Sequence, residues 1–251
     1  MSNAIKKIML AAGPDTLPTL VFVPGAICPP EIFSEVARLS GCRSFGLPWL
    51  EGDGPHDMVS VARRVIDALA GLGPVVLIGH SVGTAIAVLA AEIDLASEKP
   101  AIVGLVLGNS GANTKGHGDI DAVFHKIATQ WGPVFWDAFV QRCISNPVPD
   151  SVIGLMKAYP PMIRPESVVE VLRSQQAIDL VPVLPRLAGL PVAVVHGRKD
   201  PARTLTHAEE FVLHVPGAQL FVMDTGHSSA VEAPREFAAV VRAVIDGIGP
   251  I

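Results

Sequence analysis

The chain has 251 residues, 49% of them hydrophobic and 17% charged, and 24 acidic against 19 basic side chains leave a net charge of −5. That length holds one large α/β domain or two small ones, and that composition excludes a disordered chain. There is no basic run to bind nucleic acid, and Cys28, Cys42 and Cys143 have neither the number nor the C-x-x-C spacing of a disulfide framework or zinc site.

Near the N-terminus, Lys6-Lys7 and the apolar Ile8-Met9-Leu10-Ala11-Ala12 imitate a secretory leader. Gly13-Pro14-Asp15 breaks the run too early for one. No later stretch approaches the roughly 20 apolar residues of a membrane span. A soluble, cytoplasmic protein with no membrane attachment is expected.

Thr19-Leu20-Val21-Phe22-Val23 reads as a buried strand ending at Pro24-Gly25. Helical character follows over 57–72. A second apolar run, Pro74 to Ile78, leads into Gly79-His80-Ser81-Val82-Gly83, and a small-residue helix is expected from Ser81 to Ala96. Further strands are expected at Ile102–Leu107, Val192–Val195 and Gln219–Met223, with helices over 202–214 and 233–248. Strands that are apolar throughout, alternating with helices, predict a mostly parallel central sheet covered on both faces. Ligands of such sheets bind beyond the carboxyl ends of the strands.

The interval 111–187 breaks the alternation. It has no convincing central strand, and prolines at 147, 149, 160, 161, 165, 182 and 185 punctuate helical pieces. It also carries Phe124, Trp131, Phe135, Trp136, Phe139 and Tyr159. The expected organisation is a core of residues 1–110 and 188–251 with a helical cap at 111–187.

The G-x-S-x-G pattern at 79–83 gains meaning from its context. Between a buried strand and a helix, the serine occupies a sharp corner that exposes its hydroxyl at the sheet edge. There it also faces the positive end of the helix dipole. A serine is a weak nucleophile by itself and needs a base, oriented in turn by an acid. Asp200 stands in the loop after Val192–Val195, and His227 stands just past Gln219–Met223. Parallel strands bring those loops to one edge, and the order Ser81, Asp200, His227 fits a nucleophile–acid–base set. His80, His196, His117, His125, His207 and His214 are weaker rivals for the base, read as packed or solvated. Asp224, Asp119 and Asp121 are weaker rivals for the acid.

On these motifs the chain resembles the α/β-hydrolase fold family, of the capped serine esterase, lipase and C–C hydrolase type, over nearly its whole length. The resemblance implies catalysis by Ser81, Asp200 and His227. It also implies an oxyanion hole made by the main-chain N–H groups of Ala26 and Val82. Relatives often carry His-Gly at the first position, where this chain has Pro24-Gly25. Trp131, Phe135, Trp136 and Phe139 either line a substrate pocket or pack the cap onto the body. Arg142, Arg164 and Arg173 are read as surface residues, and Cys28 as packing.

The implied activity is hydrolysis of an ester or lactone of a small to medium apolar molecule. The same three residues also serve C–C, thioester, cyanohydrin and acyl-transfer chemistry, and a hydrolase scaffold can bind without catalysing. The expected partner is a small-molecule substrate, with no nucleic acid, membrane, metal or cofactor; both monomer and homodimer remain open.

Overall fold

The computed structural model describes residues 4–116 and 119–249. Seven strands form one sheet in the order β1-β3-β2-β4-β5-β6-β7. They are β1 (Ile8–Ala11), β2 (Thr19–Val23), β3 (Ser44–Gly46), β4 (Val75–His80), β5 (Ile102–Gly108), β6 (Val192–Gly197) and β7 (Gln219–Met223). Only the β1–β3 pair is antiparallel. The segment that imitates a leader is therefore an edge strand.

Alternation along each strand divides the core into two layers. Leu20, Phe22, Val76, Ile78, Val106, Ala193 and Val195 face one side, with α1 (Ser34–Ser40) and α10 (Pro234–Asp246). Val21, Val23, Val75, Leu77, Leu105, Leu107, Val192 and Val194 face the other, with α2 (Met58–Leu69) and α3 (Val82–Leu95). α8 (Leu205–His214) buries Phe211 in this second layer. Burial on both sides explains why these strands read as continuous apolar runs. Asp57 starts α2 where its carboxylate accepts the Ser60 N–H at 3.0 Å.

Between β5 and β6 lie α4 (Ile120–Gln130), α5 (Pro133–Cys143), α6 (Asp150–Ala158) and α7 (Pro165–Ala177), with short 3-10 turns at 160–162 and 184–187. No described residue of this interval is in a strand. Its prolines do local work: Pro133 and Pro165 occupy the first helical positions of α5 and α7, where an N–H has no intrahelical partner. α7 is tied to the loop before α2, where Glu170 accepts the His56 N–H at 2.9 Å and Ser174 accepts the Met58 N–H at 2.9 Å. No helix among the described residues is long and apolar enough to cross a membrane.

Candidate active site

Ser81 joins β4 to α3 with φ 55° and ψ −125°. Positive φ in a non-glycine costs on the order of 1–3 kcal/mol, so the surroundings must impose it. They do so through main-chain bonds: Ser81 N–H donates to Gly108 O at 2.9 Å, and Thr84 N–H donates to Ser81 O at 3.0 Å. Closeness at the corner explains both glycines. A Cβ on Gly79 would stand 2.5 Å from Thr84 Cα, and one on Gly83 would stand 2.1 Å from Val23 O.

The exits of β6 and β7 bring Asp200 and His227 to the same corner. His227 Nδ1 donates to Asp200 Oδ2 at 2.8 Å, and Ser81 Oγ donates to His227 Nε2 at 2.9 Å. The carboxylate can only accept, which fixes the neutral imidazole with its proton on Nδ1. The other oxygen, Asp200 Oδ1, accepts the N–H groups of Ala202 at 2.7 Å and Arg203 at 3.1 Å. The Asp200 side chain is fully buried. Burial works to raise its pKa, but hydrogen bonding and charge from His227, the Ala202 N–H and the Asn109 amide outweigh that and hold it at about 2.

The two exit loops are stitched together. Arg198 N–H donates to Met223 O and Lys199 N–H to Thr225 O, both at 2.8 Å. Gly197 permits this contact, since a Cβ there would lie 2.0 Å from Gly226 O. Glu232 accepts the Gly226 N–H at 2.9 Å and the N–H groups of Ser145 at 3.1 Å and Asn146 at 2.8 Å. One carboxylate thus joins the loop bearing His227 to the turn between α5 and α6.

Two further side chains touch this constellation: His80, weighed in the sequence as a rival base and read as packed, and Asn109, which the sequence did not single out. His80 Nε2 donates to His227 O at 2.8 Å. Burial and then the nearby His227 push its pKa down to about 4, so its ring is neutral at pH 7. Asn109, at the end of β5, donates from Nδ2 to Asp200 Oδ2 at 3.3 Å and to Gly226 O at 3.1 Å. Both contacts span more than ninety residues, and no local pattern encodes them.

Val82 is the first residue of α3, so its N–H has no carbonyl one turn back to donate to. The Gly25–Ala26 segment lies against the serine, because a Cβ on Gly25 would be 3.0 Å from Ser81 Cβ. A tight turn holds it, with Cys28 N–H donating to Gly25 O at 3.3 Å and Ile27 at φ 63°. Gly25, beside the serine, and Val82, directly after it, bring the two segments expected to carry the oxyanion donors next to Ser81. Cys28 is buried, which pushes its thiol up to about 12 and suits a packing role.

Three of the aromatic residues gather as one group. Trp131 lies 5.7 Å from Phe135 and 5.9 Å from Trp136, edge-on to the latter. Trp131, Phe135 and Phe139 pack against the apolar layer that also contains Ile27 and Val82. The indole Nε1 of Trp136 is buried without a hydrogen-bond partner among the described residues. Two open grooves, of about 530 and 330 Å³, are lined elsewhere, around Leu10, Glu31 and Arg38 and around Phe124 and Arg173.

The rival residues have other partners. Asp224 is exposed and pairs with Lys199 at 3.0 Å, while Asp119 caps α4 by accepting the Ala122 N–H at 2.9 Å. Asp121 borders the second groove, as does His125. His207 caps α8 with Thr204, His214 ends α8, and His196 is buried in β6. His117 lies outside the described residues.

A parallel sheet with a strained serine corner between β4 and α3, facing a histidine and an aspartate from later strands, defines a hydrolase-type α/β architecture. The chain belongs to the alpha/beta hydrolase family, whose profile matches residues 20–240. No curated protein sequence matches it. Among solved structures it is similar to an esterase from Exiguobacterium antarcticum, at 18% identity and TM-score 0.80, covering 96% of this chain and 94% of that one. It is also similar to the enol-lactonase from Burkholderia xenovorans, at 19% identity and TM-score 0.80, covering 96% of each chain. A lipase-esterase related protein from Clostridium acetobutylicum matches at 20% identity and TM-score 0.76, covering 96% of this chain and 99% of that one. At these identities the likeness is one of fold.

Proposed function

We propose that this protein is a serine hydrolase that cleaves an ester or lactone of a small to medium apolar molecule through an acyl-enzyme. The observation that carries the reading is the hydrogen-bonded series Ser81 Oγ, His227, Asp200, with steps of 2.9 and 2.8 Å. Ser81 Oγ attacks the carbonyl carbon while its proton passes to His227 Nε2. Asp200, ionised and buried, stabilises the imidazolium so formed and keeps Nε2 aimed at the serine. The N–H groups of Ala26 and Val82 receive the developing oxyanion, a contribution of on the order of 10²–10³ in rate per donor. His227 then gives its proton to the leaving alkoxide. A water attacks the acyl group through the same base, and Ser81 is released with its proton restored.

The interval 111–187 acts in this reading as a cap. Trp131, Phe135, Trp136 and Phe139 supply its apolar surface toward the substrate, supported by the packing of Trp131, Phe135 and Phe139 on the layer that holds Ile27 and Val82 and by the contact of Trp136 with Trp131. The substrate is a small molecule, met in the cytoplasm without a membrane or nucleic-acid partner. Turnover of p-nitrophenyl esters and simple lactones tests the reading. The wild type hydrolyses them, and Ser81→Ala falls by at least about a thousandfold. No turnover of esters or lactones alongside turnover of a thioester or a diketone would move the assignment to another bond.

A further inference from the structure

Asn109 holds a costly conformation at the point where three strand ends meet. It follows Gly108, whose carbonyl accepts the Ser81 N–H, and its own N–H donates to Val195 O at 2.9 Å. Its φ is 50°, a left-handed value that asparagine tolerates better than most residues but still pays for. The side chain is completely buried, and its Oδ1 has no partner among the described residues. A buried acceptor left unpaired destabilises the fold. A residue serving only to fill space would avoid both costs.

What the residue delivers in return is two donors on one nitrogen. Nδ2 reaches Asp200 Oδ2 at 3.3 Å and Gly226 O at 3.1 Å. The amide orientation is fixed chemically, since a flip would set Oδ1 against a carboxylate and a carbonyl, both acceptors. Asp200 Oδ2 is the oxygen that also accepts His227 Nδ1. Gly226 is the residue just before His227.

We propose that Asn109 is a positioning residue, which fixes the Asp200 carboxylate and the Gly226 carbonyl to each other and so sets the angle at which His227 meets Ser81. This rests on the reading of Ser81, His227 and Asp200 as the catalytic set. Asn109 touches no substrate and transfers no proton. Without it, the His227 loop and the carboxylate move independently, and a misplacement of about 1 Å is enough to cost up to a hundredfold in rate.

The test is the kinetics of two variants on p-nitrophenyl acetate across pH 5–9, with folding checked by circular dichroism and thermal melting. Asn109→Gly relieves the left-handed backbone while deleting the amide. Its kcat is expected to fall roughly 10- to 100-fold with KM changed less than about twofold. Asn109→Asp keeps the shape but replaces both donors. When ionised it repels Asp200, and when protonated it returns one donor, so its deficit against the wild type should shrink as pH falls. A folded Asn109→Gly with wild-type kcat, an Asn109→Asp to wild-type ratio that is flat with pH, or a loss confined to KM would each overturn the proposal. Failure of both variants to fold would also overturn it, making Asn109 a stability residue. Ser81→Ala run in parallel separates the two layers: if it is inactive while the Asn109 variants are normal, only the positioning role falls. If it retains wild-type turnover, the catalytic reading falls and takes the positioning role with it.

Discussion

His80, the residue before Ser81, donates from Nε2 to the main-chain oxygen of His227 at 2.8 Å, so the β4 corner and the β7 exit are joined by this bond as well as by Ser81–His227. Either protonation state could donate from Nε2, but burial keeps the ring neutral, holding the His80 pKa at about 4, below the ordinary 6.5. Above pH 6.5 the ring is neutral folded or unfolded. As pH falls from 6.5 toward 4, the unfolded chain takes up a proton that the folded one resists, so stability is lost over that window, by about 3 kcal/mol at full effect. Urea denaturation at pH 7 and pH 4.5 should show this loss, and His80→Gln should show a clearly smaller one. Equal losses in both proteins would remove His80 as the cause.

The glycines of the corner make a sharper steric prediction. At Gly83 an added Cβ would press on main-chain oxygens, 2.1 Å from Val23 O and 2.5 Å from Pro24 O. Neither can swing aside as a flexible side chain could. Gly83→Ala should cost about 3 kcal/mol or more, read as a shift in the denaturation midpoint. Gly154, in α6, has open space around its Cβ position. There the same substitution should stabilise the fold by up to about 1 kcal/mol.

Four of the five strands with sequence signatures are buried on both faces, Thr19–Val23, Val75–His80, Ile102–Gly108 and Val192–Gly197, while Gln219–Met223 is a half-buried edge strand that is still mostly apolar. Ser44–Gly46 has only three residues and α1 only seven, too few to show a period. Ile8–Ala11 is half-exposed at the sheet edge, so its apolar residues had no partner in the pattern and looked like a leader. Ser81, Asp200 and His227 were legible because each follows an apolar strand, and a parallel sheet gathers such ends. The supports of those residues were not legible. Asn109, His80 and Glu232 act through contacts to residues such as Gly226 and Asn146, set only when β5, β6 and β7 lie side by side. The aromatic group was visible as composition, but its arrangement depends on how α4 meets α5.

Asp200 should matter through His227 rather than through the fold. Asp200→Asn keeps the shape and removes the charge that stabilises the imidazolium, and it favours the wrong tautomer of the ring. Its kcat on p-nitrophenyl esters is expected to fall on the order of 10⁴-fold. Asp224→Asn, which alters only an exposed pair with Lys199, should retain wild-type turnover. A strong loss in Asp224→Asn with little in Asp200→Asn would reassign the acid.

The aromatic group is testable through chain length. If Trp136 and Phe135 contact the acyl group, Trp136→Ala and Phe135→Ala should reduce turnover of longer-chain esters more than that of acetates. Each lost apolar contact would be worth about 0.8 kcal/mol per methylene. Equal losses on every chain length, together with a lower melting temperature, would leave these rings as packing between cap and body.

The most direct test of the account is covalent. Wild-type protein treated with a small fluorophosphonate should gain one adduct in its intact mass, and peptide mapping should place that adduct on Ser81. Ser81→Ala should gain none, and Asp200→Asn should react far more slowly. Absence of any adduct on the wild type, or an adduct on a residue other than Ser81, would contradict the assignment of this corner as the reacting centre.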